Sequence, residues 1–266
     1  MENIIIGGLW YGPGKPDFQL FQLEFVQKIK NFMNTGFEVV INNQVMHFLL
    51  NVEAELADLP AKAASVCMKQ FNGRFGCPHC YHPGCKLRPD KLVWIYPYQT
   101  ENNELRTHEE FLLHAELAED NQQIVYGVKA RSVYFRVPIE LPTDWMHLAL
   151  EGELKRKLRY ILDERNEVLD LETLEFINQR LPSIKYPHNY HHKVRHISNV
   201  SCNKAKAGEL QTLLLHVLLP LMKDNMEPVY FCHLGLLVTS MQLLNKDKAD
   251  LEDVRNADIM IDVSTL

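Results

Sequence analysis

The chain has 266 residues, of which 46% are hydrophobic and 23% charged, and this composition is typical of a globular protein with one large domain or two small ones. The formal net charge of −6 excludes a small DNA-binding domain with a general basic excess, so any nucleic-acid surface must be a local patch. No apolar run reaches the length of a bilayer-spanning helix, and the first residues do not predict a signal peptide.

Strand signals concentrate in the first 60 residues. The predicted elements are a strand end at 4–6, a helix from Asp17 to Gly36, strands at Phe37–Ile41 and Gln44–Leu56, and a helix from Pro60 to Gln70. Asp58 is therefore predicted to lie between the carboxyl end of a strand and the start of a helix. In α/β sheets, ligands and metals bind at that edge.

The remainder of the chain is predicted to be mainly helical, which favours a small sheet with helices added behind it. Thr107 and Glu110 form a capping-box pattern that opens a helix ending near Asp120. The later predicted elements are an amphipathic helix at 144–162 with Leu148, Leu154, Leu158 and Ile161 on its buried side, a helix at 171–181, a loop at 186–206, two apolar helices at 208–223 and 228–244, and an acidic tail from 245.

Three of the six cysteines fall within residues 77–85, and the strongest motif there is Cys77-Pro78-His79-Cys80. Clustered cysteines without a secretory signal favour a reducing compartment, the cytoplasm or the nucleus, and a metal rather than a disulfide. Two thiolates at this spacing can bind one Zn²⁺, and the other ligands are either local, at His79, His82 or Cys85, or distant. A metal-free reduced pair is the plainer interpretation. A thioredoxin-like site is disfavoured because no strand precedes the motif.

Four other residues each have an ordinary and a functional interpretation. Asp144 and His147 lie on one face of a helix start and can complete a zinc site, or serve as an N-cap and a surface histidine. Asp58 can bind Mg²⁺ or cap the helix at Pro60. Glu209 lies in the first turn of a helix, where the helix dipole also favours an acid.

Two loops carry local positive charge. Residues 186–206 contain no Asp or Glu, and their basic candidates for phosphate contact are Lys193, Arg195, Lys204 and Lys206. Residues 71–91 contain four basic residues and only one acid, Asp90. A solvated loop is nevertheless the commoner meaning of such runs.

A series of short motifs lies along the chain between residues 7 and 245. They are Gly8-Leu9-Trp10-Tyr11-Gly12 with Lys15-Pro16-Asp17, Asp58-Leu59-Pro60-Ala61-Lys62-Ala63, Met68-Lys69-Gln70-Phe71-Asn72-Gly73, Gly76-Cys77-x-x-Cys80-x-His82-Pro83-Gly84, Arg106-Thr107-His108-Glu109-Glu110, Gly127-Val128-Lys129, Asp144-x-Met146-His147-x-x-Leu150-Glu151-Gly152 and Lys206-Ala207-x-Glu209. Each motif is weak by itself. The ordered set resembles the CACTA-type (En/Spm-like) DNA transposases and the related animal transposase domain-containing proteins.

This resemblance implies an RNase H-like fold in which two Asp and one Glu bind two Mg²⁺ or Mn²⁺ ions for DNA strand cleavage and transfer. Asp58 matches the second catalytic Asp. Glu209 is the preferred match for the third acid, and Glu151 is its competitor. The resemblance also implies a structural zinc site formed by the elements Cys77/Cys80 and Asp144/His147.

The expected fold class is therefore α/β, a partial RNase H-like transposase core with a small, incomplete sheet, a zinc-binding loop insertion and a largely helical C-terminal half. The corresponding domains are 1–70 for the remnant of the core, 71–143 for the zinc loop and insertion, 144–244 for the helical completion and 245–266 for the acidic tail.

In the family the first catalytic Asp lies upstream of the Gly-Leu-Trp segment, and the six residues before Gly7 contain no Asp. The expectation is a nuclear or cytoplasmic transposase-derived protein that is inactive alone, with DNA, a second copy or a full-length transposase as partner and no membrane. The alternative is a non-catalytic zinc-stabilised DNA- or protein-interaction module from a domesticated transposon. An active nuclease with Asp17 as substitute acid is disfavoured, because Asp17 lies at a helix start.

Overall fold

The computed structural model describes residues 6–265 apart from 91, 98, 100–102, 134, 135, 139, 164–167 and 187–191. The chain divides into two compact units, Met1–Asp144 and Trp145–Leu266. Among its described residues, the first unit combines three α-helices with two two-stranded sheets. All the regular elements described in the second unit are helical. The expected mixture of helices with a small sheet component is thus confirmed. None of the described helices has both the length and the apolarity needed to cross a membrane.

The first helix, α1, spans Phe18–Thr35, as predicted. Asp17 caps it, because its carboxylate accepts the N–H groups of Gln19 and Leu20 at 2.9 and 3.2 Å. Gly36 ends the helix with a φ of 71°, a left-handed conformation that glycine adopts without strain.

Strands β1 (Phe37–Ile41) and β2 (Gln44–Phe48) form an antiparallel hairpin. Asn42 and Asn43 both have positive φ, 50° and 64°, which is typical of the tight turn that matches the strand twist. The predicted extension of the second strand to Leu56 is wrong. Residues 49–56 belong to no strand ladder in the described part of the chain. Their backbone bonds go elsewhere: the N–H of Leu50 donates to the carbonyl oxygen of Phe32 at 3.3 Å, and that of Glu55 donates to the carbonyl oxygen of Glu140 at 2.8 Å.

The first unit continues with α2 (Leu59–Ser65), the short strands β3 (Cys85–Lys86) and β4 (Trp94–Ile95), and α3 (His108–Asp120). Helix α2 is shorter than predicted, and the capping box that opens α3 is confirmed. Segments far apart in the chain contribute to the core of this unit, which consists of Val66, Met68, Phe111, Ala115, Val128, Val137 and Leu141.

The second unit is built from helical segments. They are the π-helical segment Met146–Leu154, α4 (Lys155–Ile161), α5 (Leu171–Arg180) with a 3-10 turn at Leu181–Ser183, α6 (Asn199–Lys204), α7 (Ala207–Thr212), the π-helical segment Leu213–Val217, α8 (Leu218–Met222), α9 (Pro228–Leu244) and α10 (Leu251–Thr265). Helix α6 corrects the prediction of an uninterrupted loop at 186–206. Helix α10 packs against α9, so the acidic segment contains an element that was not predicted.

The π-helical winding of Met146–Leu154 corrects one predicted core position. Leu148 was expected on the buried side but is 52% exposed, whereas Leu150 and Leu154 are buried. In a π-helix the backbone bonds run from i to i+5 rather than i+4, so the face predicted from a 3.6-residue period rotates away from the core.

We expect Leu154→Ala to lower the free energy of unfolding of the second unit by about 2–5 kcal/mol, because it leaves a cavity in a closed core. The matched control is Leu148→Ala on the same segment, which should change it by less than about 0.5 kcal/mol. Urea unfolding followed by circular dichroism measures both. Equal losses for the two variants would contradict the burial assigned here.

Candidate functional sites

Asp58 lies immediately before α2, as predicted. Its backbone is extended, and its carboxylate accepts the N–H of Ala61 at 2.7 Å. Pro60 in the first turn needs no acceptor and favours the helix start. The structure therefore gives Asp58 the role of a helix N-cap, which is the ordinary interpretation of this residue.

The loop that carries Cys77 and Cys80 is held by the buried guanidinium of Arg106, which is 4% exposed. Its Nε donates to the carbonyl oxygens of Cys77 and Cys80 at 3.0 and 3.1 Å, and its Nη2 donates to those of Phe75 and Tyr126 at 3.3 and 2.7 Å. The planar fork of donors suits arginine to this task. Since a buried charge is costly unless it is hydrogen-bonded, the loop and Arg106 stabilise each other.

A short antiparallel pairing brings Arg106 to the loop. Its backbone N–H donates to the carbonyl oxygen of His79 at 2.9 Å, and the N–H of Tyr81 donates to Glu104 at 3.0 Å. The guanidinium also lies 4.4 Å from the centre of the Tyr81 ring. Charge, hydrogen bonds and an aromatic face thus converge on one side chain.

Tyr96 fixes the entry to the loop. Its hydroxyl accepts the N–H of Gly76 at 2.8 Å and donates to the carbonyl oxygen of Gly73. A Cβ at Gly76 would lie 2.1 Å from the carbonyl oxygen of Gln70, so only glycine fits there. The loop conformation is therefore set before the first cysteine.

The two thiols of the motif are hydrogen-bonded to each other. The bond from the Cys80 thiol lowers the pKa of Cys77 to about 5, and the same bond raises the pKa of Cys80. A backbone N–H from His79, 3.4 Å from the Cys77 sulfur, supports the thiolate. Thiolate is the form of cysteine that binds metals, and Cys77 is the thiol of the pair that ionises first.

The local candidates for further zinc ligands differ in their surroundings. Both ring nitrogens of His82 are engaged: Nδ1 accepts the N–H of Gly84 at 2.9 Å, and Nε2 lies 3.0 Å from the carbonyl oxygen of Pro97. A carbonyl can only accept, which fixes the tautomer and leaves no lone pair for a metal. Cys85 is exposed in β3. The ring of His79 contacts Thr143, with Nε2 3.4 Å from the hydroxyl oxygen.

Beneath the cysteine loop lies a buried lysine, Lys62, which is 1% exposed. Its ammonium donates to the carbonyl oxygens of Leu141 and Pro142 at 3.1 and 2.6 Å. Burial lowers the pKa of Lys62, and the negative charges of Glu55, Asp144 and Cys77 raise it. The structure thus places Asp144 within electrostatic reach of the lysine that also feels the Cys77 thiolate.

His147 lies in the π-helical segment at the start of the second unit, and its side chain is exposed. Asp144 is the last residue of the first unit. The two residues of the Asp-x-x-His element therefore lie on either side of the division between the units.

In the second unit, Glu209 opens α7 and accepts the backbone N–H of Lys206 at 3.1 Å. Its side chain lines a hollow of about 250 Å³ together with Arg195 and Lys204. Three residues predicted from sequence, one acid and two bases, are thereby brought together. The remaining basic candidates, Lys193 and Lys206, are exposed.

The competing acid, Glu151, has a different partner. Its carboxylate pairs with the ammonium of Lys155 at 2.5 Å, and the same ammonium donates to the carbonyl oxygen of Asn203 at 3.3 Å. The segment Met146–Leu154 packs against α7, so Glu151 and Glu209 lie on neighbouring elements of one unit.

Sequence reasoning missed the roles of Lys62 and Arg106. Both belong to the motifs quoted above, Lys62 to the one that begins at Asp58 and Arg106 to the one that continues with Thr107, and nothing else in the sequence marks them. Among the described residues, no group of three or more His, Cys, Asp or Glu side chains is arranged to hold a metal ion. Comparison of the chain with protein-family models, with curated proteins and with solved structures gave no match.

We expect Arg106→Lys to loosen the cysteine loop, because a single ammonium cannot replace a fork that binds four carbonyl oxygens. The free energy of unfolding of the first unit should fall by about 2 kcal/mol or more. Alkylation of Cys77 and Cys80 in metal-free protein, followed by peptide mass spectrometry, should become faster. Arg74→Lys, an exposed arginine over Phe75, is the matched control and should change neither quantity. Alkylation at an unchanged rate in Arg106→Lys would refute this role.

Proposed function

We propose that this chain is a transposase-derived protein that, by itself, binds zinc and DNA without cutting DNA, built on a partial RNase H-like core. The ordered motifs supply the family, and one structural observation carries the proposal. Cys77 and Cys80 are in direct contact in a loop that a buried arginine and a tyrosine hold in place. Two thiols that are held in a fixed arrangement by buried side chains are typical of a structural metal site.

The donor set of this loop fits zinc in part. Cys77 and Cys80 supply two sulfur ligands, and His79 lies between them in sequence. Asp144 and Cys77 both interact electrostatically with the ammonium of Lys62. When bound, zinc would cross-link the loop and add its binding free energy to folding. His147, which the resemblance assigns to the zinc site, belongs to the second unit.

A local basic surface in the second unit supports the DNA proposal. Arg195 and Lys204 lie at one hollow, and Lys193 and Lys206 are exposed on the same connecting region. Lysine and arginine at such a surface release counterions from DNA phosphates, which gives an affinity that depends strongly on salt.

The carboxylates support binding without cutting. Two-metal cleavage needs acids that converge on the ions. Here Asp58 and Glu209 each accept a backbone N–H at the start of a helix, and Glu151 is paired with Lys155. Capping and ion pairing account for all three acids.

The zinc proposal predicts about one zinc ion per chain by elemental analysis of protein purified without chelator. Cys77→Ser and Cys80→Ser should lose the metal, because a serine hydroxyl is a poor zinc ligand. Cys232→Ser, an exposed cysteine in α9, is the matched control and should retain it. A metal-free wild-type protein after refolding with zinc would refute the proposal, and His147→Ala tests the ligand that the resemblance assigns.

The DNA proposal predicts that the double variant Arg195→Gln/Lys204→Gln binds duplex DNA more weakly. The slope of log affinity against log salt should fall by about one for each lost phosphate contact. Fluorescence anisotropy over a salt series measures this slope. Lys248→Gln, an exposed lysine elsewhere in the second unit, should leave it unchanged. Identical slopes for the wild type and the double variant would refute the assigned surface.

The same preparations address cutting through a plasmid-nicking assay with Mg²⁺ or Mn²⁺. No metal-dependent nicking is expected. Asp58→Asn is the informative variant, because asparagine caps a helix as well as aspartate but lacks the charge that binds a metal. Nicking by the wild type that Asp58→Asn abolishes while the protein stays folded would contradict the non-cutting assignment.

A further inference from the structure

A second hollow in the helical unit is formed by one face of α4 and one face of α9. Arg156 and Tyr160 lie four residues apart on α4, and Tyr230 and Leu234 lie four apart on α9, so each pair projects to one side of its helix. The hollow is lined by Arg156, Lys157, Tyr160, Ile161, Tyr230, His233 and Leu234. It was not predicted, and it shares no lining residue with the hollow at Glu209.

The lining is apolar below and polar at the rim. Ile161 and Leu234 are buried and form the floor. The rings of Tyr160 and Tyr230 stand beside them, and the hydroxyl of Tyr230 is hydrogen-bonded to that of Tyr160. Two adjacent aromatic rings over an aliphatic floor suit a flat apolar or aromatic group.

The rim is cationic. Arg156 and Lys157 share one carboxylate, Glu153, with Nη2–Oε2 2.8 Å for the arginine and Nζ–Oε1 3.5 Å for the lysine. Helix α4 also carries Arg159, and Lys155 is paired with Glu151, so the helix itself contains four basic residues and no acid. Glu227, at the start of α9, is the carboxylate that acts on Tyr230.

His233 adds a further nitrogen donor or acceptor at the rim, one turn along α9 from Tyr230. The lining thus combines an aromatic wall, an aliphatic floor and nitrogen groups suited to an anion. Phosphate groups are bound in proteins by such arginine and lysine side chains.

The volume, about 370 Å³, lies within the range of small-molecule pockets, about 300–1,000 Å³. The larger hollow, about 680 Å³, has Asp170, Asp224 and Glu227 in its lining and no basic residue, whereas the hollow between α4 and α9 is lined by Arg156 and Lys157. We propose that the hollow between α4 and α9 binds a phosphomonoester with an aromatic body, of the size of a free nucleoside monophosphate. This site shares no residue with the cysteine loop or with the proposed DNA surface.

Isothermal titration calorimetry with adenosine 5′-monophosphate tests the site, with adenosine and inorganic phosphate as partial ligands. We expect saturable binding of the monophosphate and affinities at least about tenfold weaker for either part alone. Arg156→Gln/Lys157→Gln should weaken monophosphate binding about tenfold or more, and Tyr230→Leu should do the same by removing an aromatic wall.

Arg159→Gln is the matched control, since Arg159 lies on the same helix, is exposed and does not line the hollow. It should bind like the wild type, and a thermal melt should show all variants folded. Arg156 is exposed, with 68% of its side chain accessible, so its single variant Arg156→Gln provides a test if the double variant unfolds. No saturable binding below about 1 mM would overturn the proposal, as would equal losses in Arg156→Gln and Arg159→Gln. Unchanged binding in Tyr230→Leu would likewise overturn it, because the ligand's aromatic body would then not be bound by this ring.

Discussion

The first unit depends on the hydrogen bonds between Arg106 and the carbonyl oxygens of the cysteine loop. A Gly- and Cys-rich loop has little intrinsic preference for one shape, and its carbonyl groups must find donors once they are buried. A single guanidinium satisfies four of them, two of which belong to Cys77 and Cys80. The approach of the two thiols is therefore a consequence of an arginine about 26–29 residues further along the chain.

Lys62 is a second buried cation that is held by backbone carbonyl oxygens. Its ammonium is buried under the loop and held by the carbonyl oxygens of Leu141 and Pro142, and it lies near the negative groups of Asp144 and Cys77. A buried cation is retained only where carbonyls and anions compensate for its lost hydration. The segment that leads to Asp144 is consequently tied to α2, and α2 itself begins at the cap formed by Asp58.

Features set by neighbouring residues were predictable from the sequence. The caps at Asp17 and Thr107 are local patterns of side chain and backbone. Features set by distant residues were not. No pattern near Lys62 predicts its bond to a carbonyl oxygen 79 residues away, and none near Arg106 predicts its bond to one 29 residues away. The exposure of Leu148 required knowledge of the π-helical winding, which shifts the apolar face without changing the apolar pattern.

The net charge of −6 also shows why whole-chain averages can mislead about function. Exposed charges interact over about 8–10 Å at physiological salt, so a ligand senses the patch that it touches rather than the chain total. In the second unit the acids of α10 lie at one end of the sequence, while α4 and the 186–206 region are basic. Arg195 and Lys204 at one hollow, and Arg156 and Lys157 at another, each present a positive rim within an acidic chain. Two proposed anion-binding surfaces are thus compatible with a negative net charge, because acidic and basic residues are concentrated in different elements. Both proposed ligands depend on this local distribution of charge rather than on the net charge.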